Sequence, residues 1–476
     1  MAGAPMAAKV PARTAGLFGN LTALAAILMT VAGCSGAAGD AAWPPLSKKW
    51  FDRATVSFHQ GDVDDASLAI DNAVRVDARR PEIRLLAAKI ALARLEFDRA
   101  VQLTEGLTSQ QALAIRGRAL WYSDRVTETA DVLEHLIADP EVRDNWAVDI
   151  AKLARRGTGR KPFTMSGGLV AVSEMPRLGR SLLVPIELDG EPALAMVATG
   201  VPETVVDSAQ GADPKWVSLK FADTIEVKDV PAISKDLSGY ARQLNAPVKV
   251  LLGVNLLRRL RPTFDFLGGQ FVVRSYEPPP PPAATMVGVH YIRGGGMLIR
   301  STFGDPKAGK SGTLLIDTTM ELPLALDEGG WKKAGKDPKT LQAIPGSKLS
   351  QGILEQLSLG ALEVPGVPAV AGVGIAEIEK PLELDLDGII GSGLMLVFRV
   401  TLADKGRTMW LEPMPVLPPE PPPAAAPAAT EPPPPPATPQ KPAANPGKGK
   451  APASKGKALP PPTQSAPKAA TGNPNK

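Results

Sequence analysis

From about residue 163 to residue 412 the chain runs through one succession of short motifs twice, and no other feature restricts its fold as much. In the first pass Met196-Val197-Ala198-Thr199-Gly200 is followed by Thr204-Val205-Val206, then Leu251-Leu252-Gly253, a short Leu/Arg helix, and Thr263-Phe264-Asp265-Phe266. In the second, Leu315-Ile316-Asp317-Thr318-Thr319 is followed by Leu324-Ala325-Leu326, Ile389-Ile390-Gly391, a short apolar helix through Phe398, and Thr401-Leu402-Ala403-Asp404. Gly253 to Phe264 and Gly391 to Leu402 are both eleven residues, so the later motifs align without a gap. Short apolar runs such as Leu182–Leu188, ended by Asp189-Gly190, read as strands and hairpin turns. The expectation is two mainly-β halves, 163–277 and 286–412, joined by a stiff proline-rich linker over 278–285.

Before this region the pattern is helical. Between Lys48 and Arg156 glycine is scarce and apolar residues recur at three and four, as in Leu85-Leu86-Ile90-Leu92-Leu95 and Val132-Leu133-Leu136-Ile137. Ala54 to Ala88 and Ala66 to Ala100 are both separated by 34 residues, and Ala73 and Pro81 fall where a helix pair would close. Small residues at that interval let paired helices approach closely. The period resembles the tetratricopeptide repeat and implies an all-α module over 46–156, with a third, irregular unit around Ala119 and Ala130. Its usual aromatic positions are mostly missing, and a generic helical bundle fits the same pattern. Stacked repeats present a concave surface to a peptide or protein partner.

The order of motifs in the two β halves resembles the aspartic proteases of the retroviral and pepsin type. There a hydrophobic-Asp-Thr-Gly loop precedes a strand, then two aliphatic residues and a glycine before a short helix. Two such halves in one chain imply an internal pseudo-dimer. The resemblance also says where chemistry belongs: one Asp from each half, sharing a proton, so that one acts as base on a water and the other as acid. Asp317 fills that position in the second half, but the first half carries Ala198. The loops Ala198-Thr199-Gly200 and Asp317-Thr318-Thr319 are therefore both degenerate, the second because Thr319 replaces the family's glycine. Thr199 and Thr318 match threonines whose hydroxyls, in the family, hydrogen-bond across the interface. Two alternatives stay open: a nearby acid, Glu203 or Asp207, supplies the missing carboxylate, or second halves of two chains bring two copies of Asp317 together. Asp317 also reads as a turn aspartate capping its own loop.

The first 33 residues pair Lys9 and Arg13 with a mostly apolar stretch from Leu17 to Val31, the pattern of an export signal. Val31-Ala32-Gly33-Cys34 resembles the bacterial lipobox, which implies an acylated Cys34 and attachment to a membrane, with Ser35 pointing to the outer membrane and the periplasmic side. Residues 34–45 read as a linker. From Pro413 to Lys476, 22 of the chain's 49 prolines fall among alanines and lysines, a composition that builds no core and implies a disordered tail. Its lysines suit weak contact with anionic cell-wall polymer.

Charge and residue counts narrow the classes. The tail and the leader carry +5 and +2 of the formal +4, leaving Cys34–Glu412 at −3, which excludes a basic nucleic-acid-binding body. One cysteine and three scattered histidines, His59, His135 and His290, leave no thiolate or imidazole cluster for a metal, and no cofactor motif is present. The reading is a multidomain, lipid-anchored cell-envelope protein whose protease-like module binds a peptide or protein without cutting it. An active aspartic endopeptidase and a purely structural tether are the alternatives.

Overall fold

The computed structural model describes residues 43–413, apart from Pro306, Pro381 and the side chain of Gln210. The expected leader, the acylated Cys34 and the expected tail beyond Pro413 lie outside the described residues. Seven helices come first: α1 (Pro45–His59), α2 (Val63–Val76), α3 (Pro81–Ala93), α4 (Phe97–Thr104), α5 (Gln110–Tyr122), α6 (Val126–Ile137) and α7 (Asn145–Arg156). Prolines open α1 and α3, where a missing N–H loses no helical bond. Asp62, Ser109 and Asp144 cap α2, α5 and α7 by accepting from backbone N–H groups two or three positions into each helix. Ala54, Ala66, Ala88, Ala100, Ala119 and Ala130, one on each of α1 to α6, are all fully buried, so the 34-residue interval corresponds to close crossings of antiparallel helices.

The remainder is β-rich. The first half contains β1 (Thr164–Gly167), β2 (Val170–Glu174), β3 (Leu183–Leu188), β4 (Glu191–Ala198), β5 (Thr204–Asp207), β6 (Lys215–Phe221), β7 (Ile225–Lys235), α8 (Ser238–Leu244), β8 (Val248–Gly253), α9 (Val254–Leu260), β9 (Thr263–Asp265) and β10 (Gln270–Arg274). The second contains β11 (Thr285–Gly288), β12 (His290–Ile292), β13 (Gly296–Phe303), β14 (Lys310–Asp317), β15 (Leu324–Leu326), α10 (Glu328–Lys333), β16 (Gln342–Ala343), β17 (Ser350–Leu359), β18 (Leu362–Ala371), α11 (Ile375–Glu379), β19 (Gly388–Gly391), α12 (Ser392–Met395), β20 (Phe398–Ala403) and β21 (Thr408–Pro413). The helix expected to run through Phe398 stops at Met395, and Phe398 instead opens β20.

Each half closes a sheet on itself. The first has the order β1-β7-β5-β8-β4-β3-β6, closed by β6 on β7; the second has β12-β13-β14-β19-β15-β18-β17-β16, closed by β13 on β17. A third sheet, β11-β21-β20-β9-β10-β2, takes three strands from each half. At its centre β9 pairs with β20, and the Thr263 and Thr401 hydroxyls meet at 2.8 Å. The duplication therefore extends to ladder register: β4 runs parallel to β8 with Ala198 opposite Gly253, and β14 runs parallel to β19 with Asp317 opposite Gly391.

The helices lie across the outer faces of both closed sheets. Alternation along β4 sends Ala195 and Val197 into the barrel interior and Met196 and Ala198 outward. These outward residues join Leu183, Val205 and Leu251 in an apolar cluster with Trp121, Ile150 and Ala154 of the helices. In the second half Leu298, Leu315 and Ile389 join Phe58, Ile83 and Ile90 in the same way. Polar ties accompany the packing, including Asp64 of α2 with His290 at 3.3 Å and Asp124 with Arg259 at 2.8 Å. No described helix is long and apolar enough to cross a membrane.

The two glycines that end β8 and β19 test the duplicated packing. A Cβ at Gly253 would lie 2.0 Å from the Glu203 carbonyl oxygen, and one at Gly391 would lie 2.0 Å from that of Leu322. Gly253→Ala and Gly391→Ala should each destabilise the protein by about 1–3 kcal/mol or more in denaturant unfolding, whereas alanine at Gly239, where a Cβ meets nothing within 4 Å, should leave it within about 1 kcal/mol.

Candidate functional site

The loops that follow β4 and β14 meet at the internal two-fold. Thr199 Oγ1 donates to the Ile316 carbonyl at 2.9 Å and accepts the Thr318 N–H at 3.1 Å. Thr318 Oγ1 donates to the Val197 carbonyl at 2.7 Å and accepts the Thr199 N–H at 3.2 Å. Both threonines are buried, so each hydroxyl satisfies a backbone donor and a backbone acceptor of the other half at once.

Asp317 stands at the end of β14, half-buried, with Oδ1 accepting the Thr319 N–H at 3.0 Å and the Thr319 hydroxyl at 2.7 Å. Its carboxyl group lies against Gly200: a Cβ there would come within 2.6 Å of the Asp317 Cγ. Thr319 thus supplies a second donor, and Gly200 leaves the room the carboxylate occupies. Among the described residues no second carboxylate hydrogen-bonds to Asp317. Ala198, in the equivalent register, is 0 % exposed and belongs to the cluster under the helices.

The structure separates the two other acids from this centre. Asp207 accepts from the Ala209 and Leu237 N–H groups at 3.4 and 3.3 Å, holding the turn after β5. Glu203 is 1 % exposed, and its two oxygens accept the indole N–H groups of Trp121 at 3.3 Å and Trp146 at 2.9 Å. Burial raises its pKa against the opposing pull of those indoles, with Tyr122 and Arg258 also facing it. Glu203 is a fastening between the helices and the first half. Nothing in the sequence pairs it with Trp121 or Trp146, which lie 82 and 57 positions away.

Two adjoining cavities lie between the helices and the β region. One of about 200 Å³ is bounded by Arg118 and Tyr122 of α5 and by Gly200, Pro202 and Gly295. The other, of about 410 Å³, has Leu92, Gln111 and Ile115 on the helical side and Ile292, Arg293 and Leu382 opposite. They share Arg118, Ile292, Arg293 and Leu382. Arg118 is fixed by Asp144 at 2.9 Å and stacks 4.2 Å from the Trp146 ring centroid. His59, His135 and His290 are not brought together, and no group of metal-ligating side chains forms among the described residues.

No protein-family model and no curated protein matches the chain. Among solved structures, the Arabidopsis OM64 TPR domain is 17 % identical over 23 % of this chain and 95 % of that domain, with a TM-score of 0.22. A retropepsin-like aspartic protease from Rickettsia conorii is 17 % identical over 27 % of this chain and 88 % of that one, with a TM-score of 0.21. What the chain shows is an N-terminal helical region followed by a β-rich region with two closed sheets.

The seam at Glu203 has a definite pH sign. A carboxyl whose pKa is raised by folding contributes stability that is full below its unfolded value and is lost as pH rises through the folded one. Wild-type protein should therefore lose stability from mildly acidic toward neutral pH relative to Glu203→Gln, which cannot ionise. Thermal unfolding of both across that range checks this, and parallel curves would remove Glu203 as the source.

Proposed function

We propose that the β region is an aspartic-protease-like pseudo-dimer that has lost its dyad and serves as a non-catalytic binding module, with a tetratricopeptide-like array seated on it. The observation that carries the reading is the shared register of Ala198 and Asp317 combined with the complete burial of Ala198. The reaction needs two carboxylates sharing a proton and a water between them. At one of the two positions there is a methyl group under packed helices, with space for neither.

Binding is assigned to the cavities between the helical array and the loops. They combine apolar walls with the Arg118 guanidinium, a mixture suited to an extended peptide or protein segment. The motif Val31-Ala32-Gly33-Cys34 supports attachment of this module to a bacterial envelope through an acylated Cys34, on the periplasmic side of the outer membrane. Pairing of two second halves from separate chains finds no support in the arrangement, because Thr318 already completes its exchange with Thr199 inside one chain.

Incubation with an unfolded-protein and peptide library at acidic pH should yield no cleavage, while a peptide retained from that library should bind Asp317→Asn as well as wild type. Cleavage that Asp317→Asn abolishes would overturn the reading. Ala198→Asp should not restore hydrolysis. It places a carboxyl in a fully buried, apolar position and should destabilise the protein by about 2 kcal/mol or more in denaturant unfolding.

A further inference from the structure

A cavity of about 720 Å³ lies away from the paired loops, where helices, first half and second half converge. Its wall carries Arg99, Arg258, Arg259, Arg261, Lys405 and Arg407. Against these stand Glu96, Asp98 and Asp124 in the wall itself, with Asp71, Glu277 and Asp404 bonded to its arginines from just outside it.

The pairing of these groups shows which charge is uncommitted. Arg259 is bound by Asp124 at 2.8 Å, Arg261 by Glu277 at 3.1 Å, Arg407 by Asp404 at 2.7 Å, and Arg99 by Glu96 at 3.2 Å. Arg258 differs. It is 6 % exposed, its guanidinium donates to the neutral Asn255 Oδ1 at 2.5 Å, and its buried Nε has no hydrogen-bond partner. Among the described residues no carboxylate forms an ion pair with Arg258 or with Lys405. The rings of Phe97, Tyr122 and Tyr291 surround the Arg258 guanidinium at 5.3 to 5.8 Å. Glu203, which faces it, is held by the Trp121 and Trp146 indoles and forms no ion pair with it, and a buried cation without a paired anion is costly. Five lining residues, Leu95, Asp124, Phe163, Arg261 and Lys405, also hold positive φ, so the wall is built from backbone conformations that side-chain-bearing residues adopt at a cost.

We propose that this cavity binds a phosphorylated ligand, with Arg258 at its floor and Lys405 and Arg407 at its rim. A phosphate monoester carries about −1.5 to −2 at neutral pH, which matches the two cations, Arg258 and Lys405, that no described carboxylate pairs. The Arg258 and Arg407 guanidinium forks, one from each half, suit phosphate oxygens bidentately. The site is independent of the dyad and of the peptide-binding reading.

Inorganic pyrophosphate titrated calorimetrically into the full-length chain should bind with one-to-one stoichiometry and weaken as salt rises. Lys405→Gln/Arg407→Gln, both at exposed positions, should lower the affinity about tenfold or more with an unchanged circular dichroism spectrum. Arg258→Lys, which keeps the charge but loses the fork, should weaken binding as well. Vesicles of phosphatidylcholine with and without phosphatidic acid separate a headgroup from a free ligand. The tail lysines also attract anionic vesicles, so the deciding quantity is the difference between wild type and the rim variant. Pyrophosphate binding lost in the rim variant assigns a soluble phosphorylated compound. Vesicle retention lost in that variant, without pyrophosphate binding, assigns a phospholipid headgroup. Absence of both, or binding of either kind that the rim substitutions leave unchanged, overturns the site.

Discussion

The reciprocal exchange between Thr199 and Thr318 is the constraint on which the β region depends. Each hydroxyl bridges a donor and an acceptor in the opposite half, so neither loop has its backbone satisfied without the other. The exchange fixes the spacing of β4 and β14, and through their parallel partners it fixes Gly253 and Gly391, where only a hydrogen atom fits beneath a carbonyl. The Thr263–Thr401 contact in the shared sheet repeats the same two-fold below. None of these bonds involves a carboxylate, so the two loops are held alike with Ala198 in one and Asp317 in the other.

The second organising contact is the helical array. It covers the outward faces of both closed sheets with apolar surface, at roughly 25 cal/mol for each Å² removed from water. Contacts along it, Glu203 under the indoles of Trp121 and Trp146 and Arg258 among the rings of Phe97, Tyr122 and Tyr291, bury polar groups at the junctions. Such groups stabilise little by themselves, but their geometry leaves few alternative seats for the helices.

Much of this was legible in the sequence, and the limits have physical causes. Thr199-Gly200 and the following Thr204-Val205-Val206 aligned Ala198 with Asp317, and the ladders place them in the same register. The alanine interval of 34 marked helix crossings because close approach permits only small residues. Met196-Val197-Ala198 and Leu314-Leu315-Ile316 are apolar on both faces of their strands, which signals a cover on the outer side. Nothing in those runs identifies the cover as the chain's own helices, since apolar faces match by area and not by a residue code. Glu203 and Arg258 were illegible for a related reason: their partners are single aromatic residues far away in sequence. Glu203 stood among candidate acids for the missing carboxylate, and the indoles that claim it became visible only in three dimensions.

The shared six-stranded sheet has its last strand, β21, in an interior place between β20 and β11. A chain emerging from the ribosome therefore completes its helices, and the strands of both closed sheets, before β20, which pairs across to β9, and β21 have been synthesised. Long-range pairing of this kind is slow to nucleate. The helices, formed early from local contacts, present a ready surface on which each nascent half can settle before the shared sheet is complete.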